Sequence, residues 1–328
     1  MRPMSERWRD VAGPVGWIEP GERNAITDVP GVRVGHSQAA SGERTGVSVV
    51  EPPALPAGAG VATINGVGEL TAKLEIDERG RIETPVYLCG THALGTVAQA
   101  AIEASGRGPE DPVIPVVGEC DDGEMADSRT LAPADVARAL EALGSEVAEG
   151  TVGAGTGMST YDFPGGIGTA SRRVGDHHIG VLLLCNFGER GYLDVLGERL
   201  DPPAVEAAAH GSCIAVCATD APLDANRLRR LAVRPLLGLA RTGSYASEGS
   251  GEIGLAFSAA GSGGGEREPV SDRVLNRLFA AAYEAAQEAV FNCLVAGSPA
   301  QRRDGRMQDA FPLETVRRLA AERRRGAE

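Results

Sequence analysis

The residues best placed to do chemistry are in the stretch Ser247-Glu248-Gly249-Ser250-Gly251-Glu252, which opens onto the apolar run Ile253-Gly254-Leu255-Ala256-Phe257-Ser258. A serine between two glycines heads a strand-like segment. A strand holds a side chain firmly, while the glycines let the backbone bend and let another group approach. Such a place suits a chain that cuts itself and exposes a new N-terminal serine. The hydroxyl of that serine is a nucleophile, and its α-amine, with a pKa near ~7.7–8.0, accepts the proton at neutral pH.

Other catalytic sets are poorly represented. The histidines His36, His92, His177, His178 and His210 show no His-Glu-x-x-His spacing, and His177-His178 would point to opposite faces of a strand. No nucleophile elbow occurs, because Glu248 stands where its first glycine would be. The single lysine, Lys73, is followed by Leu74, which excludes a phosphate loop of the Gly-Lys-Ser/Thr type. Three glycine loops stand out: Asn65–Glu69, Gly153–Met158 and Gly165–Ser171. The spacing in Gly153-Ala154-Gly155-Thr156-Gly157 departs from a dinucleotide fingerprint, and Phe163-Pro164-Gly165 would interrupt its helix. Tight turns, phosphate binding and the lining of a small active site all remain open for these loops. No metal and no cofactor are expected.

A formal charge of −13 argues against a nucleic-acid or anionic-membrane partner. The six cysteines are scattered, most in apolar runs, and read as buried thiols rather than a disulfide framework. No run approaches ~18 apolar residues, and Met1 to Asp10 carry no apolar leader core. A soluble cytoplasmic protein is the expectation.

The elements that must position the serine follow from periodicity. Residues 1–23 read as an arm anchored by Trp8 and Trp17, and residues 24–328 as one domain. Ile26 to Gly35 reads as a strand broken at Pro30-Gly31. Gly46–Val50, Gly60–Ile64 and Pro85–Cys89 read as strands, and Gly180–Asn186 and Cys213–Ala218 as buried ones. Helices are expected over Thr91–Ala104, Pro133–Leu143, Asp224–Leu239, Asp272–Ala296 and Leu313–Arg325.

Read together, Ile26–His36, Asn65–Glu69, Val117–Gly123, Gly153–Gly157, Gly165–Ser171, Ala218–Leu223 and Glu248–Glu252 resemble, in order, the L-aminopeptidase/D-esterase and β-peptidyl aminopeptidase family. These are self-processing relatives of the ornithine acetyltransferase fold. The resemblance implies an α+β protein, an αββα sandwich like that of the Ntn hydrolases. It implies cleavage between Gly249 and Ser250, giving an α chain 1–249 and a β chain 250–328, and an acyl-enzyme on Ser250. The implied activity is that of a serine aminopeptidase on small peptides, amides or esters. The alternatives are an acyltransferase of the ornithine acetyltransferase type and an uncleaved, non-catalytic homologue. By the same resemblance Glu119 holds the substrate's amine, Asn186 orders the site or donates to the oxyanion, Asn65 and Asp220 bind substrate, and Glu288 assists the nucleophile. Relatives often carry Asn where this chain has Asp220, and Ser or Thr near Ala286. A homo-oligomer of αβ units is also implied.

Overall fold

Two β-sheets carry the fold, in a computed structural model that describes residues 6–201, 210–260 and 268–326. In chain order the strands are β1 (Arg33–Gln38), β2 (Gly46–Glu51), β3 (Ala57–Gly66), β4 (Arg81–Ile82), β5 (Val86–Gly90), β6 (Val116–Cys120) and β7 (Ser159–Thr160). They continue with β8 (Phe163–Pro164), β9 (Ile167–Val174), β10 (His177–Asn186), β11 (Asp194–Val195), β12 (Glu198–Arg199), β13 (His210–Thr219) and β14 (Gly249–Ser258). The helices are α1 (Trp8–Ala12), α2 (Lys73–Arg79), α3 (Leu94–Ala104), α4 (Pro133–Glu141), α5 (Ala225–Ala240), α6 (Asp272–Ala296) and α7 (Leu313–Gly326).

One sheet has the order β1-β2-β5-β6, the other β4-β3-β14-β13-β10-β9, with β7/β8 and β11/β12 as short ribbons. Period-two alternation gives each large sheet two apolar faces. Val34, Val50, Val86, Leu88 and Val116 of the first sheet pack against Leu182, Leu184, Ile214, Val216, Ile253 and Leu255 of the second. The alternate residues of the second sheet, among them Leu183, Cys185, Cys213, Ala215 and Ala256, pack under α5 and α6. Val47, Val49, Tyr87 and Val117 of the first sheet pack under α3 and α4. The result is helices, sheet, sheet, helices: the α+β sandwich expected from the sequence.

The helix α6 matches the bounds read from its apolar stripe, and α3 begins after a 3-10 turn at Thr91–Ala93. The segment Ile26–Gly35 departs from expectation, as Ile26–Asp28 form a 3-10 turn before β1 begins at Arg33. The arm is anchored by one tryptophan only. Trp8 stacks on Phe291 at 4.1 Å, whereas Trp17 is 95% exposed. Residues 1–5 of that arm lie outside the described residues.

Candidate active site

The parallel pair β13 and β14 sits in the middle of the six-stranded sheet, and each strand has a glycine-serine step at or next to its first residue. Gly211 lies opposite Ser250, and Ser212 opposite Gly251. Residues paired in this way share a face, so the two serines point to opposite sides of the sheet. Ser212 falls on the side of Ile214 and the first sheet; Ser250 falls on the side of Cys213 and the helices.

Ser250 is 2% exposed, and its hydroxyl donates to Glu252 on the same face. Its amide donates to the Ser247 carbonyl at 2.9 Å. The Asn65 amide donates to the Ser247 carbonyl at 2.7 Å and to that of Glu248 at 3.3 Å. Asn65 therefore fixes the turn that leads into β14. Burial pushes the Glu252 carboxyl up, against the pull of the Ser250 hydroxyl. The second oxygen of Glu252 is buried without a hydrogen-bond partner.

Ser212 is surrounded by other candidates. Asn186 is directly opposite it on β10. The Asn186 side chain is fixed at both ends: its oxygen accepts from the Ser159 amide at 2.9 Å, and its nitrogen donates to the Asp121 carbonyl at 2.8 Å. Glu119, buried at the end of β6, accepts from the Glu69 amide at 2.8 Å and from the Thr91 hydroxyl. Gly68 brings the two groups into one space. A methyl group built on Gly68 would stand 3.4 Å from Glu119 Oε1 and 3.8 Å from Ser212 Oγ. The glycine thus lies between a carboxylate of one sheet and a hydroxyl of the other.

The Ser212 hydroxyl also donates to the carbonyl oxygen of Gly211 at 2.7 Å. It is thus beside the peptide bond that precedes it. Gly211 itself has no room for a side chain, since a Cβ would meet the Asn186 carbonyl at 2.9 Å and Phe187 Cα at 3.0 Å. A small crevice reaches Ser250 from outside, lined by Gly188, Glu189, Ser244, Tyr245, Ala246 and Ser247.

Two residues expected at the site are elsewhere. Asp220 follows the far end of β13 and accepts from the His178 amide at 2.7 Å and from its ring at 2.9 Å. Eight residue steps along the strand direction separate it from Ser212, about 26 Å at the usual rise, so it does not reach a substrate held there. Glu288 is fully buried on α6 and is consumed by ion pairs: Arg9 at 2.7 Å, Arg172 at 2.8 Å, and the amide of Asn24. Arg172 lies on the edge strand β9, three strands from β14. Burial alone would push the Glu288 carboxyl up, but the two arginines and Asn24 hold it below the usual range. Ala286, near it on α6, is buried and faces α5 at Gly238.

Ser212 and Glu252 were not among the residues expected at the site. The signal for Ser212 was present: Gly211-Ser212 heads the apolar run Cys213–Ala218 as Gly249-Ser250 heads its own. The signal for Glu252 was its spacing of two from Ser250, which puts both on one face of a strand.

Comparison with known proteins agrees with this architecture. The β-peptidyl aminopeptidase BapA of Sphingosinicella microcystinivorans is 37% identical over 371 residues, covering 96% of this chain and 93% of that protein. A β-aminopeptidase structure from Burkholderia sp. aligns with a TM-score of 0.85 and 36% identity, over 97% of this chain and 99% of that one. The L-aminopeptidase D-Ala-esterase/amidase of Ochrobactrum anthropi, described as a prototype serine aminopeptidase and a variant of the Ntn hydrolase fold, aligns with a TM-score of 0.85. It shares 31% identity over 97% of this chain and 99% of that one. Fold and site thus define a serine aminopeptidase, a hydrolase of the Ntn type. The chain belongs to peptidase family S58, whose model matches residues 24–308. No helix among the described residues is long and apolar enough to cross a membrane.

Proposed function

We propose that this aminopeptidase matures by cutting its own chain between Gly211 and Ser212, and that Ser212 is then the nucleophile that releases N-terminal residues from small peptides, amides or esters. The observation that carries this reading is the 2.7 Å contact of the Ser212 hydroxyl with the Gly211 carbonyl. Attack of that oxygen on the carbonyl carbon converts the amide to an ester, and water then opens the ester. The freed α-amine of Ser212 becomes the base for later turnovers. Ser250 lies opposite Gly211, so the new amine forms beside the Ser250–Glu252 pair. The unpartnered oxygen of Glu252 gives that ammonium a counter-ion.

For an incoming substrate, Glu119 binds the free amine and Ser212 attacks the carbonyl, with Gly68 lying between the two. Asn186, fixed opposite Ser212, orders the site. The names of the relatives support β-peptides among the substrates, since the gap between ammonium and carbonyl decides which amino acids fit.

The expectation from sequence, a cut before Ser250 with chains 1–249 and 250–328, is the second reading. The Ser250 hydroxyl is bound to Glu252 and faces away from Glu119, which favours Ser212. Denaturing mass spectrometry and N-terminal sequencing of the purified protein decide between them. A small chain beginning at Ser212 is expected; one beginning at Ser250 would overturn the assignment, and a permanently intact chain would overturn self-processing. Ser212→Ala should abolish both cleavage and turnover. Comparing hydrolysis with transfer to an added amine tests the acyltransferase alternative, for which no observation speaks over hydrolysis.

A further inference from the structure

Beneath the serine site, on the helix side of the same sheet, three thiols meet. Cys185 on β10 is directly opposite Cys213 on β13, one step along from the pair Asn186 and Ser212. The Cys185 thiol touches those of Cys213 and Cys293. Cys293 reaches in from α6, accepting from the Gly166 amide at 2.9 Å and lying 3.5 Å from the Thr160 hydroxyl. All three are fully buried.

The backbone identifies the kind of pair. The Cys185 amide donates to Gly166 at 2.7 Å, at the head of β9 and so away from β13. Cys185 and Cys213 are therefore a non-hydrogen-bonded antiparallel pair. Such pairs place their Cα atoms about 4.5 Å apart with side chains close, within the ~4.4–6.8 Å that a disulfide spans.

We propose that Cys185 and Cys213 form a modification site: a small two-electron oxidant such as hydrogen peroxide joins them in a cross-strand disulfide that disables the serine site one residue away. The loss of activity rests on the assignment of Ser212; the disulfide does not. The crevice at Ser250 lies on the same side of the sheet, and the Ser250 hydroxyl meets Glu252, the residue paired with Cys213. Burial opposes ionisation of Cys293, but hydrogen bonds from Cys185, Thr160 and the Gly166 amide outweigh it and hold that thiol below its ordinary value. Burial and its hydrogen bonds to Cys213 and Cys293 hold the Cys185 thiol well above its ordinary value, so Cys185 attacks one peroxide oxygen as the thiol and gives up its proton in the same step. The O–O bond breaks, and the leaving hydroxide takes that proton as water. The Cys213 thiol then attacks the sulfenic sulfur of Cys185, the S–O bond breaks, and a second water leaves with the Cys213 proton. Drawing two contacting sulfurs into a covalent bond moves β10 and β13 relative to each other, and with them Asn186 and Ser212.

The test treats the purified, full-length self-processed protein with hydrogen peroxide and maps its peptides by mass spectrometry without reduction. A Cys185–Cys213 cross-linked peptide is expected, with activity falling about ten- to hundredfold, as a displacement near 1 Å in a catalytic group produces. Dithiothreitol should restore it. Cys213→Ala and Cys185→Val should lose both the cross-link and the sensitivity, while Cys217→Ala keeps them. If a variant fails to fold, the wild-type peptide map decides alone. Free Cys185 and Cys213 after treatment, or a link to Cys293 instead, would overturn the site. A Cys185–Cys213 link with unchanged activity would overturn its coupling to the serine. A small chain beginning at Ser250, found separately by N-terminal sequencing, would remove only the reading on which that coupling rests.

Discussion

Glu119 and Glu288 are both buried carboxylates, and their partners give them opposite roles. Glu119 receives an amide and a hydroxyl and lies beside the Gly68 backbone, which leaves its charge available to an ammonium. A hydrogen bond to a charged group is worth about 1.5–3 kcal/mol. Glu119→Gln should therefore lower kcat/KM for an aminoacyl p-nitroanilide roughly ten- to hundredfold and leave self-cleavage complete. Glu288 is already neutralised by Arg9 and Arg172. Removing one partner of such a pair costs about 3–5 kcal/mol, so Glu288→Gln should lower the melting temperature strongly and leave Glu119 and Ser212 in place. Because the folded Glu288 carboxyl is held low, its contribution is present above the ordinary carboxylate value of about 4.3 and is lost as pH falls through the folded value. Acid melting curves of the wild type and Glu288→Gln should accordingly converge at low pH. Glu252 is shifted the other way by burial. In the cut enzyme the Ser212 ammonium beside it would draw that carboxyl back down and would itself be held protonated to higher pH, so the acid limb of the rate profile, set by the amine, should move to lower pH in Glu252→Gln.

At the scale of elements, pairing register decides what each side chain can do. Gly254 on β14 lies against α5, and a Cβ there would collide with the Ala232 carbonyl. Gly254→Ala must displace α5 or β14, two residues from Glu252. Overpacking of this kind costs about 1–3 kcal/mol, so a melting point lower by several degrees and a slower self-cleavage are expected from calorimetry and timed gels. The elements themselves were legible in the chain wherever period carried the information. The apolar stripe of Asp272–Ala296 marks α6, and the runs at Gly180–Asn186 and Cys213–Ala218 mark strands buried on both faces. Within the proposed site, Asn186 was legible as the polar residue ending an apolar run and Asn65 as the head of a glycine loop, while Glu119 was singled out by the family resemblance. Ser212 had the same signal as Ser250, a glycine-serine step before an apolar run, and nothing in such a run tells which of the two serines lies on the side of the other sheet. Glu288 and Asp220 were misplaced for a related reason. Arg9, Arg172 and His178, which occupy them, are distant in sequence and reach them only through the sheet order.

At the scale of the molecule, the two products of the proposed cut cannot simply part. The segment after Ser212 supplies β13 and β14, and these lie between β3 and β10 of the segment before it. It also supplies α5 and α6, which close one face of the core. The strand order therefore gives the protein a history. While the backbone is continuous, the middle strands find their places as parts of one chain. Once the bond is broken, the same assembly is a meeting of two solutes, and its success depends on their concentration. Unfolded mature enzyme, diluted from denaturant, should recover activity poorly and in proportion to protein concentration, whereas the uncut Ser212→Ala chain should regain its native fluorescence at any dilution. On this reading the chain folds most readily in its uncut, inactive form, so each working copy dates from one folding event, and a copy that unfolds is replaced by synthesis more readily than by repair.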